Sequence, residues 1–311
     1  TKLQSGSNFY QAGFSSSSRG IFSGGYSGGA INKIEYVTIA STGDVTDFGD
    51  LSVARYLNGG SSSNTRGLTS GGSTGSATNV IDYVTIASTG NATDFGDILE
   101  TTQGLSALAN STKSIMGGGL ASGAMSNVIQ QVTIATTGNS TDFGDLTQAR
   151  YYGSAACSGN DAAQSLYNVS SVASAGNIGI FVGFQVSAAD TNAIEHIDIN
   201  TAGNSTMFGS LTSGNRKRML GGIGSSVRGA LIGGKVASTN FSNVIDYFNF
   251  HSKGASTDFG DATVGRRDLA NFSNETRGLA SGGDTGSNSD VIDYITIASS
   301  GNATDFGNML A

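Results

Sequence analysis

The fold is decided by one stretch of sequence, Asn79-Val80-Ile81-Asp82-Tyr83-Val84-Thr85-Ile86, which continues through Ala87-Ser88-Thr89-Gly90-Asn91 into Ala92-Thr93-Asp94-Phe95-Gly96-Asp97. Variants of it occur six times, each with a Phe-Gly pair after a Ser/Thr/Asp-rich turn. The phenylalanines are Phe48, Phe95, Phe143, Phe208, Phe259 and Phe306, and successive ones lie 47, 48, 65, 51 and 47 residues apart. A period near 50 residues is typical of an array of small units, none of which buries its apolar face alone.

Each copy is predicted to form four short antiparallel strands bounded by Gly, Ser and Asn turns. In the third strand of the second copy, apolar residues fall on both faces, with Val80 and Val84 on one and Ile81 and Tyr83 on the other. A strand buried on both faces indicates a sheet packed between two similar sheets. Six such units predict an all-β fold, a six-bladed β-propeller of four-stranded antiparallel blades.

We expect a single propeller domain over residues 1–311, with blades at about 1–51, 52–98, 99–146, 147–211, 212–262 and 263–311. Residues 1–10 are interpreted as a first strand, and the segment from Phe306 completes a fourth. The first and last blades should therefore pack face to face, with at most a short strand exchanged between the termini.

Small and large residues recur at fixed places in the repeat. A glycine pair ends the second strand, where close backbone approach is needed. We place these pairs at Gly24-Gly25, Gly71-Gly72, Gly117-Gly118, Gly233-Gly234 and Gly282-Gly283, with Gly183-Phe184 in the fourth copy. The six phenylalanines are predicted to be buried anchors between blades.

These features resemble the Kelch repeat: a diglycine after the second strand, an aromatic residue in the third, a large aromatic in the fourth, and an arginine opening the next unit. The third-strand aromatics are Tyr36, Tyr83, Tyr247 and Tyr294, and the arginines are Arg55, Arg150 and Arg266. Phe stands where Kelch repeats usually carry Trp. The regular sequence of the repeats is also similar to repeats in virion structural or tail-fibre-like proteins of marine bacteriophages.

The composition excludes several classes of function. The net charge is −7 and only 13% of residues are charged, so nucleic acid, whose binding relies on Lys and Arg, is an unsuitable partner. No apolar run is long enough to cross a bilayer. Cys157 is the only cysteine, which excludes an intrachain disulfide. The surface must be rich in Ser, Thr, Asn and Gly, as suits sugar binding or packing in an assembly.

Repetition argues against chemistry at the repeated residues. Asp-Phe-Gly occurs five times, whereas a kinase carries one such motif. Acidic residues recur in the third strand (Glu35, Asp82, Glu195, Asp246, Asp293, with Gln130 in the third copy), and basic residues in the second (Arg19, Arg66, Lys113, Arg228, Arg277). We interpret them as structural ion pairs or bonds to backbone rather than metal ligands. His196 and His251 fall at different phases of the repeat. We therefore expect no catalytic residue, no cofactor and no metal.

Function should lie where the copies differ, which is the loop between the second and third strands. An additional stretch of about 17 residues, near residues 158–175, should lengthen the loop between the first and second strands on the opposite face. It is either a partner-docking loop, which we favour, or a structural plug. The candidate partner-binding residues are Tyr26, Asn32, Thr74, Met125, Asp190, Asn240 and Asp284 in the first set of loops, and Asn160, Asp161 and Tyr167 in the additional stretch.

The leading hypothesis is a non-enzymatic structural or adhesive module of an extracellular assembly, most simply a bacteriophage virion appendage. Its partners would be other structural proteins of that assembly, further copies of the chain, or a cell-surface receptor or glycan, with no membrane involved. One alternative is an intracellular Kelch-type protein-interaction adaptor. A second is a carbohydrate-active enzyme.

Overall fold

The protein is all-β in the computed structural model, which describes residues 10–157, 177–183, 185–186, 189–212, 217–236 and 241–309. Within these ranges no segment forms a helix, and so none forms a helix that could span a membrane. The strands are β1 (Ala12–Ser15), β2 (Arg19–Ser23), β3 (Lys33–Thr38), β4 (Thr46–Asp50), β5 (Gly59–Ser62), β6 (Arg66–Ser70), β7 (Val80–Thr85), β8 (Thr93–Asp97), β9 (Thr102–Gln103), β10 (Ser106–Ala109), β11 (Lys113–Gly117), β12 (Leu120–Ala121), β13 (Ala124–Met125), β14 (Val128–Thr133), β15 (Thr141–Asp145), β16 (Ser154–Cys157), β17 (Ile178–Val182), β18 (Gln185–Val186), β19 (Ala189–Asp190), β20 (Ala193–Asp198), β21 (Thr206–Ser210), β22 (Lys217–Arg218), β23 (Gly221–Gly224), β24 (Arg228–Ile232), β25 (Lys235–Val236), β26 (Val244–Asn249), β27 (Thr257–Asp261), β28 (Ala270–Ser273), β29 (Arg277–Ser281), β30 (Val291–Thr296) and β31 (Thr304–Asn308).

Six four-stranded antiparallel sheets are formed by the described residues, one from each repeat of the sequence. They are sheet 1 (β1 to β4), sheet 2 (β5 to β8), sheet 3 (β10, β11, β14, β15), sheet 4 (β16, β17, β20, β21), sheet 5 (β23, β24, β26, β27) and sheet 6 (β28 to β31). In every sheet the order in space follows the order in sequence. The prediction of four antiparallel strands per repeat is therefore confirmed.

The third strand of each sheet is buried on both faces, as its sequence predicts. In β7, the neighbouring residues Ile81 and Asp82 point to opposite faces, and both are fully buried. Val84 is buried as well. Each sheet thus has protein on both sides.

Six apolar clusters hold the sheets together, and each combines residues of two sheets. Phe95 of sheet 2 packs in one cluster with Met116 and Val132 of sheet 3. Another cluster joins the ends of the described chain, since Phe306 of sheet 6 packs with Phe22 of sheet 1. The six anchor phenylalanines are all buried, at 2–4% exposure, which confirms their predicted packing role.

The glycine that follows each anchor brings neighbouring sheets into backbone contact. Gly96 has φ +143°, and a Cβ there would lie 2.5 Å from the carbonyl oxygen of Gly138 in the next sheet's last turn. The Gly138 amide donates to the Phe95 carbonyl at 2.8 Å. The same bond joins the last and first sheets, from Gly43 to Phe306 at 3.0 Å. The repeated Phe-Gly pair therefore combines a buried side-chain anchor with a close backbone contact and hydrogen bond to the next sheet, which we call the backbone lock.

Two details of the sequence interpretation are wrong. The first strand of sheet 1 is β1 at Ala12–Ser15, which begins after the predicted range 1–10, and residues 1–9 lie outside the described residues. In the third repeat the left-handed glycine pair is Gly118 and Gly119, with φ +67° and +106°, because Gly117 is still the last residue of β11. Three consecutive glycines made the register ambiguous. Phe184, in the fourth copy, lies outside the described residues.

Candidate functional site

One end of the sheets carries a ring of six residues, which we call the axial ring. Each of these residues lies two positions before the first strand of its sheet and has a φ between +57° and +66°. They are Tyr10, Leu57, Gly104, Tyr152, Met219 and Asp268. Each amide donates to the carbonyl of the preceding ring residue at 2.8–3.4 Å, and the Tyr10 amide closes the circle by donating to Asp268. A left-handed backbone is unfavourable for residues other than glycine. The five ring residues other than Gly104 therefore adopt this conformation at a local cost in free energy.

A cavity of about 140 Å³ lies against the axial ring, between the first strands. The wall of the cavity includes the second residue of each first strand. This residue is small in five sheets and is Asn271 in the sixth. The small residues are Gly13, Gly60, Ala107, Ala155 and Gly222. A Cβ on Gly60 would lie 2.6 Å from the Gly13 carbonyl oxygen, so the first strands approach too closely there for larger side chains.

The loops between second and third strands emerge at the same end, since first strands begin and second strands finish there. Each described loop pairs with the connection that leads to the axial ring. Ser73 and Tyr56 exchange two backbone hydrogen bonds, of 2.7 and 3.0 Å. In sheet 3 the loop becomes the hairpin β12–β13, and β12 also pairs with β9. We call this end, with the axial ring and these loops, the loop face.

Tyrosine rings gather on the loop face beside the axial ring. The Tyr56 ring lies 5.1 Å from that of Tyr26 and 6.1 Å from that of Tyr10, measured between centroids. Tyr151 and Tyr152 lie 4.2 Å apart. All five are half-buried, so the loop face presents aromatic surface with nearby hydroxyl groups.

A charged group adjoins these rings. Arg267 donates to Asp284 through Nε at 3.0 Å and through Nη2 at 2.6 Å, and its guanidinium lies 5.5 Å from the Phe241 ring centroid. Partial burial acts to lower the pKa of Arg267, but hydrogen bonding to Asp284 and the nearby carboxylates raise it overall. The pKa of the Tyr10 phenol is raised, first by burial and then by the Asp268 carboxylate. The phenol therefore stays protonated and able to donate a hydrogen bond.

The structure brings part of the predicted residue set together on the loop face. Tyr26 belongs to the tyrosine group and Asp284 to the charged pair. Asn32 and Thr74 are exposed, and Met125 is half-buried in β13. Asp190 pairs through its backbone with Gln185 in the β18–β19 hairpin. Asn160, Asp161, Tyr167 and Asn240 lie outside the described residues.

The additional stretch of the fourth repeat also lies outside the described residues. It separates β16 from β17, which are the first and second strands of sheet 4. This order along the chain agrees with the predicted insertion between first and second strands, and its role in docking a partner stays a prediction.

Several loop-face residues were missed by the sequence reasoning. Tyr10, Tyr56, Tyr151 and Tyr152 precede first strands, and none of them is among the predicted partner-binding residues. The signal was present: a bulky residue stands just before the ring residue at Tyr56, Tyr151 and Arg267, in segments that otherwise repeat closely.

Among the pairs formed between described residues, three join a recurring acidic residue to a buried arginine. Arg55 pairs with Asp82 at 3.0 Å, Arg266 pairs with Asp293 at 2.7 Å, and Arg150 pairs with Glu195, all fully buried. Burial acts to raise the pKa of Glu195, but hydrogen bonds from Ser205 and Thr147 and the charge of Arg150 lower it overall. These carboxylates have a structural role, as expected.

The second-strand arginines bind backbone rather than those carboxylates. Arg66 donates to the carbonyls of Ile134 and Ala135 in the next sheet at 2.9 and 3.0 Å, and its guanidinium stacks 4.4 Å from the centroid of Tyr83. Among the described residues no three His, Cys, Asp or Glu side chains are placed to share a metal ion.

No protein-family model matches this sequence, and no curated protein matches it at a significant level.

Proposed function

We propose that the six sheets are the blades of a closed, six-bladed, Kelch-like propeller. The proposal is supported by the circle of backbone hydrogen bonds through the axial ring and by the shared core of the first and last sheets. Side chains also cross between those two sheets. Ser15 donates to the Ser273 carbonyl at 2.7 Å, and Arg277 donates to the Ile39 carbonyl at 3.0 Å.

The module acts, in this proposal, as a non-enzymatic adhesive element that binds a glycan through its loop face. The observation that carries this function is the tyrosine group beside the axial ring. Half-buried tyrosines offer rigid apolar faces together with hydroxyl groups, which is a combination that sugar rings and partner proteins both use. The surrounding loops vary between repeats, whereas the scaffold under them does not.

The setting we propose is an extracellular assembly such as a virion appendage, where other structural proteins or a cell-surface receptor would be the partners. Its support is compositional: only 13% of the residues are charged and 47 are glycine. Mass spectrometry of the intact source particle tests this setting, because it identifies both the parent polypeptide and its neighbours.

Glycan binding is tested with a panel of free oligosaccharides, followed by ligand-observed NMR on the intact chain. Tyr56→Ser should weaken binding about tenfold or more, because a central aromatic contact is lost. Tyr56→Phe keeps the ring and should bind within a few-fold of the wild type.

Val227→Ser is the matched control. Val227 is 56% exposed in the turn between β23 and β24, at the end opposite the loop face, so this variant should bind normally. Unchanged binding by Tyr56→Ser, or equal loss in Val227→Ser, would remove the loop face as the site. Cleavage of any oligosaccharide in the panel would contradict the non-enzymatic role and favour a carbohydrate-active enzyme.

A further inference from the structure

Charge is matched between two positions that meet inside most sheets. The first position is the acidic or amide residue in the third strand of a sheet. The second lies in the connection that leads into that sheet, five residues after the last strand of the sheet before it. Sheets 2, 4 and 6 place a carboxylate opposite an arginine: Arg55 with Asp82, Arg150 with Glu195, and Arg266 with Asp293. Sheet 3 has Thr102 and Gln130 at these positions, and both are neutral. In these four sheets a carboxylate thus occurs where an arginine is supplied, and an amide where it is not.

Glu35 of sheet 1 departs from this rule. It is 1% exposed, and within the described residues neither of its carboxyl oxygens has a hydrogen-bond partner. Val45 stands where sheet 4 has Ser205, the residue whose hydroxyl donates to Glu195. Residue 8, at the sequence position equivalent to Arg55, is Asn. A buried carboxyl with neither donor nor countercharge is costly.

The surroundings of Glu35 reproduce those of a carboxyl that does bind arginine. Glu35 is paired in register with Phe22, just as Glu195 is paired with Phe181. Arg55 and Arg266 also donate to the carbonyl at this register position, that of Thr69 at 2.9 Å and that of Ala280 at 3.2 Å. The Phe22 carbonyl occupies the same position in sheet 1. A phenylalanine there is compatible with a guanidinium, because sheet 4 contains both.

We propose that Glu35 is the acceptor for an arginine guanidinium carried by a chain segment outside residues 10–309, which enters between sheets 6 and 1. The charged groups near Glu35 are Lys33 and Asp47, both on sheet 1. Neither supplies the buried countercharge that sheets 2, 4 and 6 have. This site is independent of the loop face and of the glycan proposal.

The test supplies the guanidinium at the spacing used in the other sheets. Arg55 is the fifth residue after β4 ends at Asp50. β31 ends at Asn308, so the dipeptide Ala-Arg appended after Ala311 places an arginine at the same distance. The control appends Ala-Met, which has similar bulk and no charge. Both extensions are made in the full chain, with Glu35 and with Glu35→Gln.

Melting temperatures at pH 8 give the readout. The Ala-Arg chain should melt about 5 °C above the Ala-Met chain when Glu35 is present, and the two should coincide with Glu35→Gln. Asn8→Arg tests entry from the amino-terminal side and should show the same dependence on Glu35. Equal melting of the Ala-Arg and Ala-Met chains together with no gain from Asn8→Arg, or gains that persist in Glu35→Gln, would overturn the proposal.

A peptide distinguishes the sources of the arginine. The chain's own connection, Leu-Ser-Val-Ala-Arg-Tyr-Leu from Leu51–Leu57, is labelled and titrated with the unextended chain, beside a version with Met for Arg. Arginine-dependent binding that Glu35→Gln abolishes shows that another molecule can fill the site. If only the appended arginine has an effect, the site is filled from within the same chain.

Discussion

Glu35 and Asp82 occupy the same strand position in neighbouring sheets, yet their chemistry differs because the groups that bind the two carboxyls differ. Asp82 receives Arg55 together with the amide and hydroxyl of Ser52. Glu35 lies beside Val45 and has no such donors among the described residues. Burial raises the pKa of Glu35 to about 7. At the residue scale, therefore, the same backbone position carries an ion-paired carboxylate in one sheet and a carboxyl with a raised pKa in the next.

Stability should fall with pH because of Glu35. Its pKa is about 7 in the folded chain and 4.5 as the ordinary value, so the unfolded chain releases this proton first as pH rises. The contribution is neutral below about pH 4.5 and destabilising above it, reaching about 3 kcal/mol near pH 7. Glu35→Gln should therefore match the wild type at pH 4 and exceed its free energy of unfolding at pH 8, as measured by denaturant titration.

The comparison is made as a difference between the two chains, since other carboxylates titrate in the same range. A difference that stays constant from pH 4 to pH 8 would show that Glu35 has the same pKa in the folded and unfolded chains, which would contradict the raised pKa.

The Arg55–Asp82 pair should be replaceable as a unit but not in halves. Arg55→Thr leaves the Asp82 carboxylate buried without its countercharge and should lower the free energy of unfolding by about 3–5 kcal/mol. Adding Asp82→Gln recreates the Thr102 and Gln130 combination of sheet 3, in which Gln130 accepts bonds from Leu99 and Ser140. The double variant should recover most of the loss in a denaturant titration. A loss in the double variant equal to the sum of the single losses would show that the two side chains act independently.

At the scale of the strand and turn, the sequence period predicts the sheets well because each repeat is a local meander. Alternation, turn residues and anchors all lie within about 50 residues. What sequence could not supply is register within a run of identical residues. Gly117, Gly118 and Gly119 read alike, and only strand pairing shows that β11 includes Gly117. The aromatic role of Tyr56 and Tyr151 also depends on rings from separate segments meeting in space.

The backbone lock after each anchor gives a matched pair of substitutions. Gly96 and Gly90 both have positive φ, +143° and +156°, so an alanine is strained at either. A Cβ at Gly90 meets nothing within 4 Å, whereas one at Gly96 would lie 2.5 Å from the Gly138 carbonyl oxygen. Gly90→Ala should cost about 1 kcal/mol from backbone strain alone. Gly96→Ala should cost about 2–4 kcal/mol, because strain and steric overlap add.

Thermal and denaturant unfolding of the two variants compare them directly. Equal losses would mean that the neighbouring turn adjusts freely and that the lock contributes nothing beyond the dihedral angle.

At the scale of the whole molecule, six equal units can form an open array or a ring, and the period alone does not decide between them. The axial ring could not be foreseen. Its six members are Tyr, Leu, Gly, Tyr, Met and Asp, which share only a backbone conformation and therefore no sequence signal.

Deletion of residues 263–311 should distinguish a ring from an open array. In an open array each unit contacts only its neighbours, so loss of a terminal unit removes one interface and leaves the remainder folded. In a closed ring the same deletion exposes two apolar interfaces, those around Phe259 and Phe22. The shortened chain should then lose cooperative unfolding by circular dichroism or associate in solution, as measured by light scattering. A monomeric five-unit chain that melts within about 5 °C of the intact chain would contradict closure.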